Sequence, residues 1–396
     1  MAFDKRNHSN RVPVFEGNKE TEETPQVQRF SRPPMKVGIT HGDTNGVGYE
    51  IILKAFADAP MFDLCTPVIY GSFKLALAHA KALDMKAQFN VVASANEALP
   101  GKMNLVECVQ GDVPLEWGKV SAEAGHAAYV ALERATEDLN AGQIEALVTA
   151  PICKEAMKLS GFKYAGHTEY LASVSTEGQN EPLMILQNEM MRVALATVHE
   201  PLQKVAGQLT QEKVETRLRA LYQSLRRDFL LSSPRIAVLA LNPHSGDGGT
   251  LGVEEQEIIS PAIHALVDEG IPCFGPYSAD GFFGAALYTH FDGILAMYHD
   301  QGLIPLKALG MDSGVNVTAG LSFVRTSPDH GTAFDIAGQG KADPASMRSA
   351  IYAAMDIKRN READDEAKKN PLPKLYHERR EDSERSRHTL PQEKAE

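Results

Sequence analysis

The chain has 396 residues, 43% of them hydrophobic and 23% charged, with a formal net charge of −12. These ordinary globular proportions suit about two domains or one large two-lobed one, and they exclude disorder throughout, collagen-like repeats and a coiled coil. The acidic balance argues against a broad nucleic-acid-binding surface, and no window approaches the roughly 18 uninterrupted apolar residues of a membrane span.

Residues 1–34 are polar, charged and proline-punctuated, and read as a flexible arm. They show neither the apolar core of a signal peptide nor the Arg-rich, acid-free character of a transit peptide. The cysteines (Cys65, Cys108, Cys153, Cys273) are widely spaced without a CxxC pair, which fits a reducing cytoplasm. A strand is expected over 35–40, then the loop Gly42-Asp43-Thr44-Asn45-Gly46-Val47-Gly48, then a helix over 49–57. The loop lacks the Gly-Lys-Ser/Thr of a Walker A motif, and Ile51 stands where a Rossmann fingerprint needs its third glycine. A tight strand-to-helix turn explains its glycines but not Asp43.

Further strands are expected over 67–70, 147–149, 192–197, 235–241 and 293–297, with helices over 121–139, 212–229 and 254–268. Continuous Val/Ile/Leu/Ala runs alternating with amphipathic helices predict an α/β fold of mostly parallel sheet covered by helices. Residues 361–396 hold nine basic and ten acidic side chains, so they read as a charged disordered tail with room for a short solvated helix. The folded part is then roughly 35–360.

Three of the expected strands each deliver a histidine just past the carboxyl end: His199 in Val-His-Glu-Pro, His244 in Asn-Pro-His-Ser-Gly and His299 in Tyr-His-Asp-Gln-Gly. Ligands of open α/β sheets bind beyond those ends. Taken singly, each is a solvated or hydrogen-bonded loop histidine. Their shared position favours a three-His site with open coordination positions, suited to Zn²⁺, Co²⁺ or another borderline metal. A fourth, His167, lies in Gly-His-Thr-Glu, which looks like a helix start with Thr168 as N-cap; capping and anion binding there are compatible.

Lys307, Asn316 and Arg325 sit in Gly-rich, sparsely charged sequence. Cations inside apolar runs need partners, either protein carboxylates or a phosphate, for which an Arg fork, a Lys charge and an Asn amide are suited. Their closeness in sequence to His299 favours a phosphorylated substrate. The segment His330-Gly331-Thr332-Ala333-Phe334-Asp335-Ile336-Ala337-Gly338, with Asp343 soon after, is similar to the loop that holds the adenosine end of NAD(P) in isopropylmalate and isocitrate dehydrogenases. Asp335 suits a ribose 2′-OH and would repel a 2′-phosphate, so NAD is expected.

Together VGITHGDTNGVGYEI, TAPICKEA, GHTEYLA, VALATVHEPL, LNPHSGDGG, LAMYHDQGLIPLK and GVNVTAGLSFVRTSPDHGTAFDIAGQGKAD resemble, in order, the 4-hydroxythreonine-4-phosphate dehydrogenase family of pyridoxal phosphate biosynthesis, from about Lys36 to Ile351. The resemblance implies an isopropylmalate-dehydrogenase-like fold of two α/β lobes, 35–160 plus 335–360 and 161–334, with a cleft between them and a homodimer whose active sites lie at the interface. It implies metal ligands His199, His244 and His299, the last from the other subunit. Substrate contacts would be His167, Thr168, Lys307, Asn316 and Arg325, and cofactor contacts His330, Gly331, Thr332, Asp335 and Asp343. The chain departs from the family at His41, Thr44, Asn45 and Tyr49, where Met, Pro, Ala and Pro are usual, and at Cys153 in place of Asn.

The reaction so implied is NAD-dependent oxidation of a phosphorylated hydroxy amino acid, with Zn²⁺, Co²⁺ or Mg²⁺, followed by decarboxylation of the β-keto acid. Asp300 is a base or an orienter of His299, and Lys307 a phosphate ligand or an aid to proton transfer. Competing readings are a dehydrogenase for another phosphorylated hydroxy acid, such as a four-carbon sugar-acid phosphate, a metal-dependent hydrolase or phosphatase on the same histidines, and a non-enzymatic metal- or phosphate-binding regulatory module.

Overall fold

A computed structural model of the chain describes residues 33–175 and 182–371. Its first stretch runs β1 (Met35–Thr40), α1 (Gly48–Ala55), α2 (Met61–Leu64), β2 (Cys65–Gly71), α3 (Phe73–Ala82), β3 (Phe89–Val92), β4 (Met103–Glu107), α4 (Ala122–Asn140), β5 (Ala146–Thr149), α5 (Lys154–Leu159) and α6 (His167–Val174). The second runs β6 (Leu183–Gln187), β7 (Arg192–Leu195), α7 (Leu202–Gln208), α8 (Gln211–Arg227), β8 (Ile236–Leu239), α9 (Ser260–Asp268), β9 (Cys273–Tyr277), α10 (Ala279–Gly284), β10 (Gly293–Ala296), α11 (His299–Gly310), β11 (Val315–Ala319), β12 (Arg325–Pro328) and α12 (Ala345–Lys369).

Local chemistry explains these elements. Every residue of β5, β8 and β10 is buried, as expected of strands covered on both faces. Helix α8 starts where the Thr210 hydroxyl accepts the Lys213 N–H, and it buries Val214, Leu218, Leu221 and Leu225 at helical spacing. Ser121 caps α4 in the same way, accepting from the Ala124 N–H at 3.1 Å.

All twelve strands join one sheet in the order β3-β4-β2-β1-β5-β12-β11-β6-β7-β10-β8-β9. The block from β3 to β12 is parallel, and so is the block from β7 to β9. Between them β11 is antiparallel to both neighbours and β6 to both of its own, so the two blocks run in opposite senses. One core cluster spans both blocks, from Val37 and Val148 to Leu218 and Val238.

The expected α/β architecture is present, with local differences. The strands expected over 192–197 and 235–241 stop at Leu195 and Leu239, and the helix expected over 254–268 begins with a π-helical turn, Glu255–Ile259. Strands β3, β4, β6, β9, β11 and β12 were not anticipated; β12 reads Arg-Thr-Ser-Pro and has no apolar residue to mark it. The lobe boundary placed at 161 also differs, because Tyr170 and Leu171 of α6 share a core with Val68, Tyr70 and Leu147 of the first block.

The tail proposed from 361 begins later than expected. Helix α12 continues to Lys369, and Arg361 is buried, donating to the Asp228 carboxylate at 2.6 Å and to the Leu321 carbonyl. Residues 361–369 therefore belong to the fold. Most of the proposed arm (1–32) and the rest of the tail (372–396) lie outside the described residues.

Candidate active site

The antiparallel pairing of β11 with β12 sets Thr318 opposite Arg325, and β12 lies beside β5, which ends in Thr149. Arg325 is consequently 3% exposed and held by hydroxyls: Nε and Nη2 donate to Thr149 Oγ1 at 3.2 and 2.6 Å, and Nη1 to Thr318 Oγ1 at 2.9 Å. Nη2 also lies 3.3 Å from His167 Nδ1. No carboxylate pairs with it among the described residues, and burial pulls the guanidinium pKa down to about 10. An arginine can only donate, so His167 Nδ1 accepts and Nε2 carries the ring proton. That Nε2 is buried without a partner, and burial, with Arg325 adding to it, keeps the ring well below its usual proton affinity. A buried cation without a counter-ion beside an unused N–H donor is built to receive an anion.

Helix α6 begins at His167 with Gly166 as its N-cap, so the cap assigned to Thr168 falls two residues earlier and uses no side chain. The first-turn N–H groups, Thr168 among them, are left free of capping side chains. Asn316 lies two residues before Thr318 on the same face of β11, with its Oδ1 buried and unpartnered. Lys307 took the protein-carboxylate alternative: its Nζ is 3.5 Å from Asp329 Oδ2.

Strands β7 and β10 are adjacent and parallel, with Leu195 opposite Ala296, so the segments leaving them emerge together. His199 and His299 thus stand with ring centroids 6.1 Å apart over a cavity of about 310 Å³, which Thr197, Leu202, Val205 and Tyr298 also line. Partial burial, then the charges of Lys154 and His299, lower the His199 pKa, which favours the neutral, metal-competent ring. Asp300 lies 2.7 Å from His299 Nδ1, which leaves Nε2 for a ligand.

His244 is exposed on a turn in which it, Ser245 and Asp247 all have left-handed backbone. Among the described residues no three His, Cys, Asp or Glu side chains are gathered closely enough to hold a metal ion. Within one chain His299 is beside His199, and His244 does not join them in a three-residue cluster. Two imidazoles with one buffered by a carboxylate suit a divalent metal, provided a third ligand arrives from outside the chain.

The 330–338 segment packs on the β1–α1 loop. The Thr332 carbonyl accepts from Val47 N at 3.1 Å, and the Asn45 carbonyl accepts from Gly118 N at 2.9 Å. Gly338, at φ +74°, lies against Trp117 so closely that a Cβ would come within 2.6 Å of the indole. Asp335 is exposed, His330 keeps a buried unpartnered Nε2, and Ala333 is left-handed, features that suit a dinucleotide laid along the loop. Gly331 is exposed beside His330, and Asp343 accepts the Ala345 N–H at 2.8 Å, starting α12. Beneath this loop the departures interlock: His41 stacks on Tyr49 at 5.0 Å, Tyr49 contacts His79, and His79 meets Trp117 edge-on.

Sequence reasoning did not single out Thr149, Thr318 or Lys154. Thr318 was legible as the same-face neighbour of Asn316. Lys154 stood inside TAPICKEA, but its proximity to His167 is a tertiary fact.

The family model for the pyridoxal phosphate biosynthetic protein PdxA matches residues 63–354. The 4-hydroxythreonine-4-phosphate dehydrogenase of Bacteroides thetaiotaomicron is 53% identical over 351 residues, covering 89% of this chain and 96% of that protein. The enzyme of the same name from a Sulfurihydrogenibium species is 44% identical over 83% of this chain and 99% of its own length. The crystal structure of 4-hydroxythreonine-4-phosphate dehydrogenase from Klebsiella pneumoniae superposes with a TM-score of 0.72 at 37% identity, covering 82% of this chain and 98% of that one.

Proposed function

The chain belongs to the PdxA family of pyridoxal phosphate biosynthetic proteins, and from that premise we propose that it oxidises 4-hydroxythreonine 4-phosphate with NAD⁺ to a 3-keto acid that decarboxylates to 3-amino-2-oxopropyl phosphate. The observation that carries this reading is Arg325, a buried cation whose partners are hydroxyls and an imidazole instead of a carboxylate. It supports a substrate that brings its own dianion.

In this reading Arg325, His167 and the first turn of α6 bind the phosphate, with Asn316 beside them, and Lys307 reaches the substrate from its pair with Asp329. His199 and His299 would hold a divalent metal ion together with His244 of the partner subunit, and the 330–338 loop would hold NAD, with Asp335 at the ribose. Bound there, the metal would supply Lewis acidity toward the substrate hydroxyl and the dinucleotide would serve as the hydride acceptor. Asp300 orients the His299 ring and fixes its tautomer. The phosphate contacts hold the C3 carbon at one end of the pocket, which lowers the entropic part of the barrier.

A homodimer is supported by the surface around the histidine pair. Leu202 is 72% exposed, and Ile304, one turn beyond His299, is 64% exposed; Leu251 and Val253, exposed after the His244 turn, offer the apolar counterpart. A second copy would cover these residues while supplying the missing ligand. No helix among the described residues is long and apolar enough to cross a membrane, and all four cysteines are free, which suits a cytoplasmic location.

The test is a purified, chelated enzyme given 4-hydroxythreonine 4-phosphate, NAD⁺ and Zn²⁺, Co²⁺ or Mg²⁺, with NADH and CO₂ followed together. Equal yields of both products are expected. NADH with a four-carbon sugar-acid phosphate alone would instead favour the related hydroxy-acid activity.

A further inference from the structure

The stretch that joins β4 to α4 forms neither helix nor strand, yet it carries the chain's single tryptophan, Trp117. One side chain holds it. Asn45 is fully buried and uses both ends of its amide: Oδ1 accepts the Glu116 N–H at 2.8 Å, and Nδ2 donates to the Lys119 carbonyl at 2.9 Å. Between those two bonds the Gly118 N–H donates to the Asn45 carbonyl at 2.9 Å. The indole so placed has two neighbours. His79, whose Nε2 donates to the Thr44 carbonyl at 2.9 Å, meets it edge-on with centroids 4.5 Å apart, and Gly338 lies against it. Gly118, at φ +70°, comes so near Phe334 that a Cβ would stand 2.6 Å from its carbonyl oxygen. Among the described residues one hydrogen bond ties 330–338 to the rest of the fold, from the Val47 N–H to the Thr332 carbonyl. Further support for the loop is packing, which Trp117 and Gly118 supply at Gly338 and Phe334.

Resting on the reading that 330–338 holds NAD, we propose that Asn45 and Trp117 are positioning residues that set the affinity for the dinucleotide. Asn45 clamps the 116–119 turn, and Trp117, carried on that turn, braces the loop. Neither has to touch the cofactor. A loop tied at one point spends only part of its time in the binding conformation unless its neighbours hold it there. The apparent dissociation constant rises in inverse proportion to that fraction. Bracing raises the fraction before the cofactor arrives, so the ordering cost is met in folding and not in binding. The effect therefore falls on the dinucleotide and leaves the anion pocket at Arg325 and His167 as it is.

The experiment compares Asn45→Ala, Trp117→Ala and Trp117→Phe with wild type in the 396-residue chain. Glu116 and Lys119 are exposed, so water can take over the bonds lost in Asn45→Ala, and cooperative melts should confirm that each variant folds. Calorimetric titration with NAD⁺ alone is expected to show about tenfold weaker binding in Asn45→Ala and Trp117→Ala, as for a loop in place about a tenth of the time. Trp117→Phe keeps a ring against Gly338 and should restore most of the affinity. Emission from Trp117 gives a second titration of wild type and Asn45→Ala, with midpoints shifted by the same factor. Inorganic phosphate should bind all four proteins equally. In turnover the KM for NAD⁺ should follow its dissociation constant, while kcat and the KM for the phosphorylated substrate change by less than about twofold. NAD⁺ affinity unchanged in Asn45→Ala and Trp117→Ala would overturn the assignment. Equal losses of NAD⁺ and phosphate affinity would overturn it too, being the mark of general damage. If wild type itself binds no NAD⁺, the cofactor reading fails and the bracing role with it, an outcome separate from wild-type binding that the variants leave intact.

Discussion

Arg325 is the side chain on which the proposed substrate reading turns. Burying a guanidinium without a counter-ion costs several kcal/mol, and three neutral acceptors recover only part of that. The ligand-free protein therefore carries a cost that a bound phosphate, as proposed, would remove. Arg325→Met should leave the ligand-free protein at least as stable as wild type, abolish its thermal stabilisation by inorganic phosphate, and lower kcat/KM by about 10- to 100-fold, the value of one or two charged hydrogen bonds. Thermal melts with and without phosphate, alongside NADH kinetics, check this.

His41 and His79 act at the same scale with the opposite dependence on solvent. Burial lowers each to a pKa of about 4 from 6.5, so the folded state binds protons less readily than the unfolded chain. Their stabilising contribution is complete above pH 6.5 and is lost as pH falls toward 4, by about 3 kcal/mol for each ring. Asp43, raised by burial to about 6, works the other way, gaining its proton and some stability as pH falls through 6. His41→Met should flatten the acid side of a urea-stability profile by about 3 kcal/mol between pH 7 and 4.

At the scale of elements, α12 is the part of the fold that charge composition conceals. Residues 361–369 are mostly charged, yet Arg361 is placed by helical periodicity on the face that buries Ala350, Ala354 and Ile357. There it meets Asp228, which is 3% exposed and also accepts from the Ser224 hydroxyl at 2.6 Å. Arg361→Met would leave that carboxylate buried and unpaired, at a cost of about 3–5 kcal/mol in urea unfolding. Adding Asp228→Asn should recover much of the loss, since the buried charge then disappears. The short strands β11 and β12 escaped notice for a related reason: Asn316, Thr318, Arg325, Thr326 and Ser327 interrupt the apolar run that marks β5 or β10.

For the whole molecule the question is how the proposed metal site would be completed. His199 and His299 share one chain's cavity, and His244 is exposed apart from them. If the partner supplies His244, mixing His244→Ala with His299→Ala chains creates mixed dimers in which one site is fully wild type. Random exchange makes about half the dimers mixed, so about a quarter of wild-type activity should return. Mixing His199→Ala with His299→Ala should restore none, because both lesions belong to the same half of every site. Recovery from that second mixture would return His299 to the partner, as the family resemblance suggested.

What the sequence determined by itself is whatever depends on local pattern: the apolar runs of β1, β5 and β10, the capped amphipathic helices, and the placing of His199 and His299 just past strand ends. Motif resemblance extended this to Arg325 and the 330–338 loop. Tertiary structure decided the rest. Arg325 could have met a carboxylate, as Lys307 did, and only the pairing of β11, β12 and β5 surrounds it with Thr318 and Thr149 instead. His199 and His299 come together because β7 and β10 are adjacent and parallel, while His244 follows β8 on a turn with left-handed backbone. Such long-range neighbours leave no trace in local periodicity, because the energy that selects them comes from the packing of the whole sheet.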